Sequence, residues 1–107
     1  MERVGFKLKL KKERLDEYVK HHQHVWPEML SALSQTGWQN YSLFLDRNDA
    51  TLFGYFETPD LQTALTGMAL TDVNARWQNV MADFFEALDG RRPDEGFLHL
   101  ENIFYLK

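Results

Sequence analysis

Apolar and charged residues alternate at the start of the chain. In residues 3–10, Val4, Phe6, Leu8 and Leu10 fall on one side, and Arg3, Lys7 and Lys9 on the other. A period of two is that of a half-buried strand and predicts β-structure there. From about Glu13 to Gln35 the period lengthens: Leu15, Tyr18, Val19, Val25, Trp26, Met29, Leu30 and Leu33 recur at spacings of three and four, and Gly37 closes the run. This predicts a long helix, interrupted by Pro27 near residues 23–26. Two strands follow, at 38–46 and 51–57, joined by the polar turn Asp46-Arg47-Asn48-Asp49. Both carry apolar residues on both faces, notably Phe44, Phe53 and Tyr55. Helical spacing returns at Leu61, Ala64, Leu65 and Met68. It resumes behind the capping residues Thr71 and Asp72, with Val73, Trp77, Val80, Met81, Phe84 and Leu88 along one stripe. Residues 88–96 read as a loop, and 97–106 as a closing strand.

The order strand, helix, strand, strand, helix, strand, with the second helical region in two pieces, predicts an α+β fold. It is the ferredoxin-like β-α-β-β-α-β arrangement, with helices on one face of an antiparallel sheet. At 107 residues the chain fits one domain spanning 1–107 and has no further element to cover the other sheet face. Apolar residues on that face therefore predict a homodimer packed sheet to sheet, a dimeric α+β barrel, or else a ligand cavity between helices and sheet.

Composition narrows the function classes. A net charge of −4 argues against a nucleic-acid partner, and Lys7, Lys9, Lys11 and Lys12, followed at once by Glu13, Asp16 and Glu17, read as a solvated strand face. No apolar run approaches the ~20 residues that span a bilayer, so no membrane partner is expected, and the alternating N-terminus lacks the apolar core of a secretory signal. The chain has no cysteine, which excludes disulfide and thiol chemistry and fits a cytoplasmic protein.

The densest candidate chemistry is residues 20–30, Lys-His-His-Gln-His-Val-Trp-Pro-Glu-Met-Leu. At about 100° per residue, Leu15, Tyr18, Val19, Trp26, Met29 and Leu33 fall within about 60° of His22. His21 lies about 100° away and His24 nearly opposite, so both read as surface residues. Divergent histidines with no His-x-x-x-His pair argue against a metal site. Tyr18, His22 and Trp26 line up one turn apart, an arrangement that suits either core packing or a carbohydrate pocket of aromatic faces and placed polar groups. Glu28 reads either as a surface carboxylate or as part of a network orienting His22.

These residues also carry a resemblance. Residues 17–30, Glu-Tyr-Val-Lys-His-His-Gln-His-Val-Trp-Pro-Glu-Met-Leu, resemble the signature of the L-rhamnose mutarotases. The segments Asn-Tyr-Ser-Leu-Phe-Leu-Asp-Arg (40–47), Leu-Phe-Gly-Tyr-Phe-Glu (52–57) and Thr-Asp-Val-Asn-Ala-Arg-Trp (71–77) continue it in order. The resemblance implies a ferredoxin-like dimer that interconverts the α and β anomers of a 6-deoxy-pyranose without metal or organic cofactor. It implies His22 as proton donor, and Tyr18, Tyr41 and Trp77 as sugar contacts. Trp26 joins these as a substrate-binding candidate, and so does Gln78, which stands where the family has a second tryptophan. The segment at 90–97, Gly-Arg-Arg-Pro-Asp-Glu-Gly-Phe, also departs from the family's Asn-Pro-Asp-Asn-Ser-Pro. The substrate is therefore read as L-rhamnose, with L-fucose or another pyranose as alternatives.

Mutarotation needs an acid at the ring oxygen and a base at the anomeric hydroxyl, and a histidine titrating near ~6.5 suits the first role. Tyr41, Asp46 and a water are the candidates for the base. Tyr41 faces the first helix if Tyr41, Leu43 and Leu45 form the helix-covered side. Two rival readings are a non-catalytic ligand-sensing dimer domain and a dimeric-barrel monooxygenase in which His22 or His99 would ligate haem iron. His99 otherwise reads as a half-exposed strand residue.

Overall fold

A computed structural model describes residues 1–86, 92–93 and 96–107. Its elements in chain order are β1 (Glu2–Lys9), a 3-10 turn at Lys12–Arg14, α1 (Leu15–His22), α2 (Pro27–Gln35), β2 (Gln39–Asp46), β3 (Thr51–Thr58), α3 (Leu61–Ala69), α4 (Asp72–Met81), a 3-10 turn at Ala82–Phe84 and β4 (Leu98–Leu100). Among the described residues the strands form one antiparallel sheet in the order β2-β3-β1-β4. The ferredoxin-like α+β reading holds.

The period-two strands appear where alternation placed them. Val4, Phe6 and Leu8 are buried beneath the helices, while Arg3, Gly5 and Lys7 take the other face. In β2, Tyr41, Leu43 and Leu45 are the half-buried side, and Ser42, Phe44 and Asp46 point outward, so the conditional placement of Tyr41 is met. The β2–β3 turn is held by side chains: Asp46 accepts from the Asn48 N–H at 3.0 Å, Asp49 accepts from the Thr51 N–H at 3.1 Å, and Ala50 closes it at φ +60°. Phe6 lies directly across the ladder from Gly54, where a Cβ would sit 2.1 Å from the ring, so only glycine leaves room for it.

The long helix is two. Trp26 precedes a proline and is extended (ψ 134°), because the proline ring disfavours helical backbone at the residue before it. Pro27 then starts α2 at a first-turn position, where its missing N–H costs nothing. The helical wheel therefore stops applying past His22. Thr71 caps α4 by accepting from the Asn74 N–H, as the sequence predicts, but the helix ends at Met81 and Phe84 belongs to the 3-10 turn. The predicted Leu88 contact and most of the 88–96 loop lie outside the described residues.

The closing strand is much shorter than 97–106. Leu98, His99 and Leu100 pair with Lys7, Phe6 and Gly5, and pairing then stops. Beyond it the Asn102 side chain accepts from the Phe104 N–H at 3.2 Å, a local bond that competes with the ladder. Ile103, Phe104 and Leu106 are left exposed, and Tyr105 sits under the Arg3 guanidinium at 3.3 Å.

Candidate active site

Helices and sheet part around a cavity of about 370 Å³, within the ~300–1,000 Å³ common for small-molecule sites. α1 supplies His22, β2 supplies Tyr41, and α4 supplies Asn74, Trp77 and Gln78. Val25, Met29 and Leu33 make an apolar wall along α2 and the segment before it. A recess of about 40 Å³ shares His22, Tyr41, Trp77 and Gln78 and runs inward to Tyr18. Phe97, stacked on Phe6 at 4.0 Å, lines both spaces.

His22 is half-buried at the end of α1. Its Nδ1 lies 3.0 Å from the Tyr18 carbonyl oxygen, which can only accept, so Nδ1 carries a proton and donates. This leaves Nε2 as the nitrogen available to a ligand. The ring lies 4.3 Å from the Tyr18 ring and edge-on to Trp77 at 5.5 Å. Burial lowers the imidazole pKa below its ordinary 6.5. The bond to the Tyr18 carbonyl opposes this, and His21 adds to the lowering. Burial, and then nearby Tyr41, push the Tyr18 phenol well above its ordinary value, so at neutral pH it remains a hydroxyl donor.

Trp26 is placed differently from its position on the wheel. It packs edge-to-face on Trp77 at 5.0 Å, with Arg76 above it at 5.9 Å, and is not among the cavity-lining residues. Half-buried against the core after the helix break, it braces Trp77 through this contact. Glu28 is exposed and pairs with Arg76 at 3.0 Å, which settles its reading as a surface carboxylate. Asp46 caps the β2–β3 turn on the outer side of the sheet, away from the cavity. His21 and His24 are exposed, as read, while His99 is exposed rather than half-buried. Among the described residues no three His, Asp or Glu side chains converge as metal ligands would. Nor is any described helix long and apolar enough to cross a membrane.

One polar pair on α4 has no counterpart in the sequence reading. Asn74, 1% exposed, donates through Nδ2 to the Met68 carbonyl at 3.2 Å, and its Oδ1 accepts from Gln78 Nε2 at 2.9 Å. The signal available was an i, i+4 pair of amides on an otherwise apolar helix face, where burial demands mutual satisfaction. Trp38 was also missed. It is buried beside the cavity, stacked on Phe56 at 3.9 Å, and its indole N–H donates to the Ala64 carbonyl at 3.1 Å.

Fold and cavity together define a ferredoxin-like α+β protein with an imidazole, phenols and an indole gathered between helices and sheet, a site equipped for proton transfer on a small polar ligand. The chain belongs to the L-rhamnose mutarotase family, isomerases that interconvert anomers, whose model matches residues 3–106. It is 41% identical to the L-rhamnose mutarotase of Oceanobacillus iheyensis over 76% of this chain and 77% of that protein. With the L-rhamnose mutarotase of Listeria monocytogenes it shares 37% identity over 99% of both chains. The crystal structure of an L-rhamnose mutarotase from Formosa agariphila superposes over the full length of both chains with a TM-score of 0.82 at 29% identity. The sensor and monooxygenase readings are not favoured.

Proposed function

We propose that the protein accelerates exchange between the α and β anomers of L-rhamnose, with His22 as the proton donor. The observation that carries this reading is the locked imidazole: Nδ1 is committed to the Tyr18 carbonyl, and the ring stands with Tyr41, Trp77 and Gln78 around the cavity and its inner recess. In the imidazolium form, Nε2–H protonates the ring oxygen as the bond between that oxygen and the anomeric carbon breaks. The anomeric hydroxyl gives up its proton and becomes the aldehyde oxygen. Rotation of the aldehyde and closure on its other face return both protons. Tyr41 or a water takes the hydroxyl proton; Asp46, on the far side of the sheet, is too remote. Tyr18, kept as a phenol, donates to a sugar oxygen from the recess, and Trp77 offers an apolar ring to the sugar's C–H face.

Saturation-transfer NMR between anomers, over L-rhamnose, L-fucose, D-galactose and D-glucose, tests the reading. Exchange above the spontaneous rate is expected foremost for L-rhamnose, and no acceleration of any of the four sinks it. Membership of the family supports the choice of sugar.

The working form is a homodimer. Across the uncovered sheet face, Phe44 and Phe53 stand opposite each other in register, 63% and 39% exposed, and Leu98 and Leu100 continue the patch beyond β1. A second copy presenting the same face covers it by sheet-to-sheet packing and completes the dimeric barrel. The cysteine-free composition supports a cytoplasmic location.

A further inference from the structure

We infer that Gln78 is a specificity residue that presents a fixed hydrogen-bond acceptor to one ring hydroxyl of the sugar, held in that sense by Asn74. The inference rests on the mutarotase reading and adds the polarity and pose of the substrate.

Three steps fix the direction of the amides. The Met68 carbonyl accepts from both the Thr71 hydroxyl at 2.9 Å and the Thr71 N–H at 3.1 Å, and it can serve Asn74 only as an acceptor. Asn74 must therefore turn its Nδ2 to Met68 and its Oδ1 to Gln78. Gln78 must answer with Nε2, which leaves its Oε1 on the side away from Asn74. That oxygen makes no hydrogen bond among the described residues, and no described side-chain polar atom is both sealed from solvent and unbonded. It therefore opens on the space that Gln78 lines.

An acceptor in a largely apolar wall discriminates sharply. A sugar hydroxyl meets it as a donor, whereas a methyl or a hydrogen leaves it desolvated and unpaired. The neighbouring stretch of wall, Val25, Met29 and Leu33, offers apolar side chains. Polar and apolar stretches of lining select a pose in which a ring hydroxyl meets Gln78 and the 6-methyl group meets the apolar side chains of α2. Asn74 acts as a positioning residue, since without it the Gln78 amide could turn either end toward the sugar.

The test compares L-rhamnose with its 2-deoxy, 3-deoxy and 4-deoxy analogues, reading kcat/KM for anomer exchange. One analogue is expected to be about tenfold poorer through loss of the Gln78 bond. In Gln78→Met, of similar length without the acceptor, that one gap closes while the other two persist; Gln78→Leu serves if the first variant melts early. In Asn74→Ala the same gap narrows, whereas a purely structural loss lowers all four sugars by one factor. If the gaps are the same in wild type and both Gln78 variants, the inference is overturned although exchange of L-rhamnose stands. If wild type accelerates no sugar at all, the mutarotase reading falls and the inference with it.

Discussion

The imidazole of His22 is made a stronger acid by burial, and that same lowering makes its acid form scarcer at neutral pH. The sign of the pH dependence follows. With the imidazolium as the proposed donor, acceleration is expected to grow as pH falls and to reach half its limit below the ordinary pKa of 6.5. A pH series of kcat/KM checks this, and a rate that instead climbs with pH through that range would make His22 the base. His22→Ala should keep its fold and lose roughly 10²–10⁴-fold of the acceleration, the usual worth of a placed acid, measured by saturation transfer. His22 was legible in the sequence because helical phase holds within α1. Trp26 was misplaced because phase was carried across a break, and Asn74 was passed over because polar letters on an apolar stripe do not by themselves say what they bond.

Strands were easier to read than helices here. Alternation survives tertiary context because one face of the sheet is buried, and the turn residues fix register. Pro27 signalled an interruption, but only the extended backbone at Trp26 turns that into two separate helices. The last strand failed for a different reason: its apolar letters resemble a strand, yet pairing needs a neighbour, and Asn102 diverts the backbone locally. Within the sheet, the contact between Phe6 and Gly54 gives a sharp prediction. Gly54→Ala forces a buried ring from its place and should cost about 1–3 kcal/mol, seen as a lower melting temperature. Because Phe6 also supports Phe97 at the cavity wall, sugar binding should weaken in the same variant.

The molecule as a whole has two unlike sheet faces. Helices cover one and create the cavity, while the other exposes Phe44, Phe53, Leu98 and Leu100. Replacing both Phe44 and Phe53 by lysine should convert a dimer to monomer in sedimentation velocity, since like charges would then oppose each other across the joint. Wild type sedimenting as a monomer would remove the dimer proposal and leave the cavity argument untouched. The ion pairs of Arg76 with Glu28 and Asp72 are exposed and contribute little to stability, but the first ties α4 to the start of α2.

The stack of Phe6 on Phe97 joins residues far apart along the chain, and β1, an inner strand of the sheet, waits for β4 to finish its pairing. During synthesis most of the residues that line the cavity are thus present before its wall can close. A chain cut short of Phe97 would carry His22, Tyr41 and Trp77 but no finished pocket wall, so its helices could form without a cavity able to hold a ligand.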